Sequence, residues 1–275
     1  MSALDELIEI ASEVDNPYLK ECQTQGKKVV GFLCSHVPEE ILDAAEILPY
    51  RLRAPGCSET TSADVYMGHV NCTYIRSCLE YIYNGTYDFL DGMIFTNSCD
   101  HTRRMYDVLR ETKPFALMAF ISVPHKIGGD EIAVWYSGEF NRLKEDIEKT
   151  FEVEITDEKL KKSIEIYNES RDLLRKLYDL RKQDKPPLTG AETMSVVLAA
   201  SSMPREKFNE LLKQLLEELP AREGVSEHKA RLMVAGSGGC DNPGYYEVIE
   251  AQGGLIVTDS LCFGSRYFWH NVEPE

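Results

Sequence analysis

The stretches LDGMIFTNSC (residues 90–99) and GLIVTDSLC (residues 254–262) decide the expected fold. Each is an apolar run that leads through a threonine and a small polar turn to a cysteine, with Arg103 or Arg266 close behind. Short apolar runs bounded by turn residues are typical of buried strands. In an open parallel sheet, ligands bind outside the carboxyl ends of the strands. Two thiols placed there indicate a functional site rather than core filling.

Strands and helices alternate along the first half of the chain. Apolar runs predict further strands at residues 27–35, 50–53 and 115–120. Segments with a 3.6-residue period predict helices at residues 3–25 (broken at Pro17), 39–47 and 72–83. Alternation at this spacing is typical of a parallel sheet of the Rossmann or flavodoxin type. We therefore expect an α/β fold, with a first α/β domain at residues 1–138.

The pattern changes twice after this first domain. Residues 139–228 are rich in charged side chains and carry long helical periods, the first from Phe140, which predicts a helical segment. Residues 229–275 return to a strand–helix–strand pattern and predict the start of a second α/β domain. A single β-α-β unit supplies two parallel strands, whereas independent sheets need three or more. We therefore expect the second sheet to be incomplete, either because the chain is truncated or because a partner completes it.

The charge and hydropathy of the chain restrict its partners. Lys and Arg number 30 against 46 Asp and Glu, which gives a formal charge of −16. Such a chain lacks the basic face that nucleic acids and anionic membranes require, although a local group of basic side chains still suits an anionic substrate. No apolar run in the sequence approaches the ~20 residues of a membrane span, and the acidic N-terminus lacks the features of a signal peptide. We expect a cytoplasmic protein.

The eight cysteines carry the strongest chemical signal in the sequence. In a reducing compartment, thiols serve as metal ligands, catalytic groups or buried residues more often than as disulfides. Cys99 and Cys262 stand at strand ends and are the firmest candidates to bind an iron–sulfur cluster. The third ligand is either Cys34, which also ends a strand, or Cys72, which opens a helix, and the spacing does not choose between them. The alternative interpretation is that these cysteines are small, inert, buried residues.

Two other features are candidates for a site. GSGGCDNPG (residues 236–244) lies between a predicted strand and a predicted helix, as a phosphate-binding turn would, but its glycine spacing fails the dinucleotide fingerprint. A plain connection is the favoured interpretation. The sequence has no Walker motif, so the chain itself is not expected to hydrolyse ATP. Among the scattered histidines, His36 gains weight because it follows the first predicted strand beside Ser35.

Several long segments together resemble one enzyme family. They are GFLCSHVPEEILDAAEILPYRLR (31–53), NCTYIRSCLE (71–80), YDFLDGMIFTNSCDHTRRMYD (87–107) and GGLIVTDSLCFGSRYFW (253–269). In their residues and in their order along the chain, they resemble the 2-hydroxyacyl-CoA dehydratase and benzoyl-CoA reductase family. This family includes the D-component type of 2-hydroxyglutaryl-CoA dehydratase subunit. The likeness covers nearly the whole chain. Relatives continue with further α/β units after the last segment, which agrees with an incomplete second sheet.

The resemblance implies an oxygen-sensitive 4Fe–4S cluster. The family's ligand motifs fall on Cys72, Cys99 and Cys262, so the resemblance selects Cys72 over Cys34. A fourth ligand that is not a cysteine, or that bridges, would complete the iron coordination. Cys78 and Cys240 fall outside the ligand motifs and are expected to be structural. A double-cubane cluster is the alternative cofactor.

The resemblance also implies a reaction and partners. An ATP-dependent iron–sulfur activator would deliver a low-potential electron, which converts an acyl-CoA thioester to a ketyl radical and permits dehydration or ring reduction. Ser35 and His36 are the candidates for contacting the acyl-CoA substrate. The chain would work with a related second subunit or with a copy of itself. The alternatives are a double-cubane reductase of small molecules and an inactive, truncated partner subunit.

Overall fold

The structure is a computed structural model that describes residues 1–236 and 241–273. Its residues form two compact units, named here by their place in the sequence. The inner unit is Glu21–Ser163, and the outer unit combines Met1–Lys20 with Ile164–Glu275. The three predicted segments, 1–138, 139–228 and 229–275, group the elements differently and stay a prediction for the domains. In the described part of the chain, no helix combines the length and apolar character needed to cross a bilayer.

The helices and strands follow one another in an order close to that predicted. The helices are α1 (Ala3–Ser12), α2 (Pro17–Thr24), α3 (Glu39–Ala44), α4 (Thr61–Asp64), α5 (Thr73–Tyr83), α6 (Asp100–Thr112), α7 (Asp130–Phe151), α8 (Asp157–Leu180), α9 (Gly190–Ala199), α10 (Arg205–Glu218), α11 (Gly244–Glu250) and α12 (Ser265–Phe268), with a 3₁₀ turn at Leu219–Ala221. The strands are β1 (Val29–Phe32), β2 (Leu48–Arg51), β3 (Gly92–Thr96), β4 (Leu117–Ile121), β5 (Ala230–Ala235) and β6 (Gly254–Ser260).

The inner unit contains a parallel sheet with the strand order β2-β1-β3-β4. Every strand pair in it is parallel, which confirms the predicted α/β class. β2 begins at Leu48, two residues before the predicted strand, and it includes Pro49. Because β2 is an edge strand, the missing N–H of proline removes no hydrogen bond that the sheet needs.

The core of the inner unit lies on both faces of this sheet. All four residues of β1 are buried, as expected for a strand covered by helices on both sides. A Cβ added to Gly31, in the middle of β1, would lie 2.4 Å from Met93 Sδ and 2.7 Å from Leu52 Cδ1. Any larger residue at this position would displace the side chains of Met93 and Leu52. Leu143 and Ile147 on α7 belong to the same apolar cluster as β1.

The outer unit packs helices around a small parallel sheet of β5 and β6. Its apolar core draws on α1, α8, α9 and α10. A Cβ added to Gly190, the first residue of α9, would lie 2.6 Å from Ile256 Cβ on β6. This glycine lets the start of α9 approach the strand closely. β5 is mostly exposed along its length, whereas β6 carries buried residues such as Leu255 and Ile256.

The predicted break in the N-terminal helix is confirmed. α1 begins behind Ser2, whose hydroxyl accepts the N–H of Asp5 while the Asp5 carboxylate accepts the N–H of Ser2. This capping box satisfies two N–H groups that a helix start leaves without partners. α1 ends at Ser12, and α2 begins at Pro17, where proline's fixed φ suits the first helical position.

Candidate functional site

Two of the candidate cysteines lie at neighbouring strand ends of the inner sheet. Cys34 follows β1 and Cys99 follows β3, and these two strands pair in parallel. The hydroxyl of Ser98 donates a hydrogen bond to Cys34 Sγ at 3.1 Å. The turn that carries Cys99 therefore contacts the turn that carries Cys34. Cys34 and Cys99 therefore lie at the carboxyl edge of the inner sheet, where ligands bind in parallel sheets.

Cys72 and Cys99 each cap the start of a helix. Cys72 is the N-cap of α5, and Cys99 is the N-cap of α6, where its Sγ accepts the N–H of His101 at 3.3 Å. His101 Nδ1 lies 3.2 Å from Asn71 Oδ1, a hydrogen bond that requires the proton on Nδ1. This bond joins the residue before Cys72 to the first turn of α6. Both thiols are free and half-buried.

Side chains of α5 bind α4, the short helix that precedes Cys72. Arg76 Nε and Nη2 donate to the two carboxylate oxygens of Asp64 at 2.7 and 2.9 Å, and Nη2 also donates to Thr60 Oγ1 at 2.7 Å. The guanidinium holds the pKa of Asp64 below its ordinary value. The buried carboxylate of Glu80 accepts two backbone N–H groups of α4. Together these contacts fix α4 on α5 and limit the freedom of the chain that leads into Cys72.

Ser35 and His36 follow Cys34 at the same edge of the sheet. Ser35 is half-buried and His36 lies at the surface. Desolvation by neighbouring atoms lowers the pKa of His36, which favours the neutral imidazole. Both side chains are therefore placed where a ligand at the carboxyl edge of the sheet can reach them.

Tyr136 on α7 is a residue of this edge that the sequence prediction missed. Burial raises its pKa, and the charges of Cys34 and Glu139 raise it further. Glu139 is anchored because it accepts the N–H of Ser122, after β4, at 2.7 Å and pairs with Arg142. The predicted helix begins only at residue 140, which excludes Tyr136. The apolar pair Tyr136 and Phe140 at i, i+4 was the available signal.

Cys262 lies in the outer unit, in the turn between β6 and α12. It is half-buried. The carboxylate of Asp259, three residues earlier, is 5% exposed and accepts the N–H of Ser265 at 2.7 Å. The cysteine thus stands in a turn closed by hydrogen bonds from the strand end to the helix start.

Cys78 and Cys240 were predicted to be structural rather than cluster ligands. Cys78 is fully buried in the core of the inner unit, in keeping with the structural role predicted for it. Residues 237–240 of the turn at 236–244, Cys240 among them, lie outside the described residues. Within residues 1–236 and 241–273, no three His, Cys, Asp or Glu side chains are grouped so as to hold a metal ion.

Known proteins similar to this chain are enzyme subunits. The model of the family "2-hydroxyglutaryl-CoA dehydratase, D-component" matches residues 34–275. A benzoyl-CoA reductase subunit from Thauera aromatica is 29% identical over 249 residues, which cover 90% of this chain and 64% of the relative. The beta subunit of (R)-phenyllactyl-CoA dehydratase from Clostridium sporogenes is 27% identical over 265 residues, with 95% and 70% covered.

A third relative extends the same pattern. The beta subunit of (R)-2-hydroxyglutaryl-CoA dehydratase from Acidaminococcus fermentans is 26% identical over 272 residues, which cover 98% of this chain and 71% of the relative. The chain therefore spans about two thirds of the length of these relatives. Since the family model covers most of the sequence, including the turns of Cys72, Cys99 and Cys262, the chain belongs to the 2-hydroxyglutaryl-CoA dehydratase D-component family.

Proposed function

We propose that this chain is the iron–sulfur part of a subunit that dehydrates a 2-hydroxyacyl-CoA or reduces an aromatic acyl-CoA thioester. One observation carries the proposal. Cys72 and Cys99 cap two helices at one edge of the inner sheet and are joined through the bond between His101 and Asn71. Two free thiols that are half-buried at one edge of a sheet support a metal-binding role better than a packing role. The names of the three relatives support the reaction class.

The chemistry of these donors fits a 4Fe–4S cluster. Thiolates are the ligands of such clusters, and Cys72 and Cys99 each stand at the N-cap of a helix. We propose Cys72, Cys99 and Cys262 as the three cysteine ligands. When bound, the cluster would supply a low-potential electron to the thioester.

The protein's own groups would prepare the substrate. Ser35 offers a hydroxyl, and His36 offers a neutral imidazole whose pKa is lowered by desolvation. A neutral imidazole both donates and accepts hydrogen bonds, so His36 can bind a thioester oxygen or a substrate hydroxyl without adding charge. Tyr136, whose pKa is raised by burial, adds a further hydroxyl donor at the same edge.

The proposal includes partners that this chain does not contain. An ATP-dependent iron–sulfur activator would provide the electron, since the sequence has no Walker motif. A related second subunit or a second copy of the chain would complete the enzyme, in keeping with the description of all three relatives as subunits. A cytoplasmic location belongs to the same proposal.

Anaerobic purification with iron and sulfide analysis tests the proposal. We expect about four irons per chain, and about eight would indicate the double-cubane alternative. Cys99→Ala is expected to abolish the charge-transfer absorbance of the cluster. Cys78→Ala is the matched control, because it removes a thiol that is buried in the core of the same unit, and it should keep the iron.

The same iron analysis distinguishes Cys34 from Cys72 as the third ligand, a choice that the sequence spacing left open. Cys34→Ala should retain its iron and Cys72→Ala should lose it if Cys72 is the third ligand. A wild-type chain that takes up no iron would refute the proposal. Iron loss in Cys78→Ala as large as in Cys99→Ala would refute the ligand assignment.

A further inference from the structure

A buried carboxylate closes the turn that carries Cys262. Asp259 is the second-last residue of β6, and Ser265 is the first residue of α12. Asp259 Oδ1 accepts the N–H of Ser265 at 2.7 Å, and its backbone oxygen accepts Ser265 Oγ at 2.6 Å. Two hydrogen bonds between the same two residues fix the ends of the turn. Cys262 lies between them.

Gly264 shows how closely the carboxylate and the turn fit. A Cβ on Gly264 would lie 2.0 Å from Asp259 Oδ1 and 2.7 Å from its Cγ. The carboxylate therefore occupies the space that any other residue at this position would fill. The turn needs both the glycine and the aspartate in order to hold this shape.

The carboxylate of Asp259 contacts Tyr178 on α8 and Arg181, the residue after α8. The hydroxyl of Tyr178 donates to Asp259 Oδ2 at 2.5 Å, and Arg181 Nη1 lies 3.8 Å from the same oxygen. Burial and the charge of Asp259 raise the pKa of Tyr178, so the phenol remains a donor. Arg181 is itself fixed, because its Nη2 donates to the backbone oxygen of Ile256 on β6 at 2.7 Å.

We infer that Asp259 is a positioning residue for Cys262, and this inference rests on the proposed function in which Cys262 binds the cluster. Asp259 is held on Oδ2 by Tyr178 and Arg181 and holds Ser265 through Oδ1. It thereby transmits the rigidity of α8 to the turn. Removing outer partners that orient metal ligands typically lowers metal affinity by about 10–100-fold. Stability alone does not explain why Asp259 and Arg181 are charged, because apolar residues can often replace a buried ion pair without loss of stability.

Iron release from the anaerobically loaded full chain tests the inference. The rate at which a ferrous chelator removes iron is measured together with the EPR spectrum of the reduced cluster and the thermal unfolding of the iron-free chain. Asp259→Asn keeps the size of the side chain and an acceptor for the Ser265 N–H, but it puts an amide donor opposite Tyr178. We expect iron release about 10–100-fold faster than in wild type, with an altered EPR spectrum.

A matched pair of variants separates positioning from stability. Tyr178→Phe and Ser170→Ala each remove one buried hydroxyl from α8. The Tyr178 hydroxyl reaches Asp259, whereas the Ser170 hydroxyl donates to Asn209 at 2.5 Å. Tyr178→Phe should speed iron release, and Ser170→Ala should lower the unfolding temperature of the iron-free chain without changing release.

The outcomes distinguish this inference from the proposed function. Iron release at the wild-type rate in both Asp259→Asn and Tyr178→Phe would overturn the inference while leaving the cluster in place. Release that follows the loss of thermal stability equally in all variants, Ser170→Ala included, would also overturn it. A wild-type chain without iron would remove the proposed function and the inference together. If Asp259→Asn does not fold, Tyr178→Phe alone decides the matter.

Discussion

The carboxylate of Glu250 accepts hydrogen bonds from both the start of α9 and β6, so replacing it should lower the local stability of both elements. Its Oε1 accepts the N–H of Gly190 at 2.7 Å and the N–H of Ile256 at 3.1 Å, and its Oε2 accepts the N–H of Ala191 at 3.2 Å. Gly190 and Ala191 open α9, where N–H groups have no partner within the helix. A negative charge there also interacts favourably with the helix dipole.

The size of the effect follows from these three bonds. A hydrogen bond to a charged group contributes about 1.5–3 kcal/mol, and neighbouring bonds to one carboxylate are not additive. Glu250→Ala leaves three N–H groups without their acceptor, so we expect a loss of about 3–4 kcal/mol. Glu250→Gln can keep an oxygen for the two amides that share Oε1 but loses the charge, so we expect about 1–2 kcal/mol.

Hydrogen exchange followed by mass spectrometry measures this loss locally. Peptides that cover the first turn of α9 and the start of β6 should exchange about 100-fold faster or more in Glu250→Ala, and about tenfold faster in Glu250→Gln, since 1.4 kcal/mol is a factor of ten. Glu247→Gln is the control, because it removes the same charge from an exposed position on the same helix. Wild-type exchange rates in Glu250→Ala would refute the reasoning.

Further predictions concern the inner unit. The folded pKa of Asp64 is lowered by Arg76, so its stabilising contribution is complete above its unfolded pKa and is lost as pH falls through the folded value. Amide protection factors, which correct for the slower intrinsic exchange in acid, should therefore fall at the α4–α5 contact below about pH 4, and less so in Asp64→Asn. Gly92→Ala would place a Cβ 2.7 Å from Leu117 Cβ, so thermal stability should fall by about 1–3 kcal/mol. Gly138→Ala adds the same methyl to a helix position with no described atom within 4 Å, and calorimetry should show a gain of about 0.5–1 kcal/mol.

The buried strands were predictable because burial on both faces leaves a continuous apolar signal. The run that ends at Cys99 contains β3, and the run that ends at Cys262 contains β6. Strand ends were less predictable. The helical period at residues 39–47 continues past the real end of α3 at Ala44, because Glu46 takes a left-handed φ of 61° that no periodicity reveals. β2 then begins at Leu48, earlier than the sequence indicated.

The start of α7 shows a second limit of sequence patterns. The helix begins at Asp130, behind Gly128 and Gly129 with positive φ, ten residues before the predicted start. Its first turns carry exposed apolar residues, Val134 and Trp135, so the usual contrast between a buried and a solvent face is absent there. As a result the predicted helix left out Tyr136, which lies in that first part of α7.

The sequence placed two candidate thiols at the ends of neighbouring strands but did not predict the hydrogen bonds between the turns that carry them. Parallel strands put Cys34 and Cys99 at one edge of the sheet, which the strand assignments alone imply. The bond between His101 and Asn71 joins residues 30 positions apart, and no local pattern encodes it. The same holds for the contact of Ser98 with Cys34. Spacing therefore left Cys34 and Cys72 open as ligands, and the family resemblance, rather than geometry, distinguished them.

The N-cap cysteines show where local stability and function separate. Serine, aspartate and asparagine are the strong N-caps, because a side-chain oxygen satisfies a backbone N–H of the first turn. Within the described residues, Cys72 makes no side-chain cap bond, and Cys99 makes one with the weaker acceptor sulfur. Helix stability alone would favour serine at both positions. Residues that oppose the stability of their own helices are expected where a function requires them. The proposed role of Cys72 and Cys99 as cluster ligands, which serine cannot fill, would account for both positions.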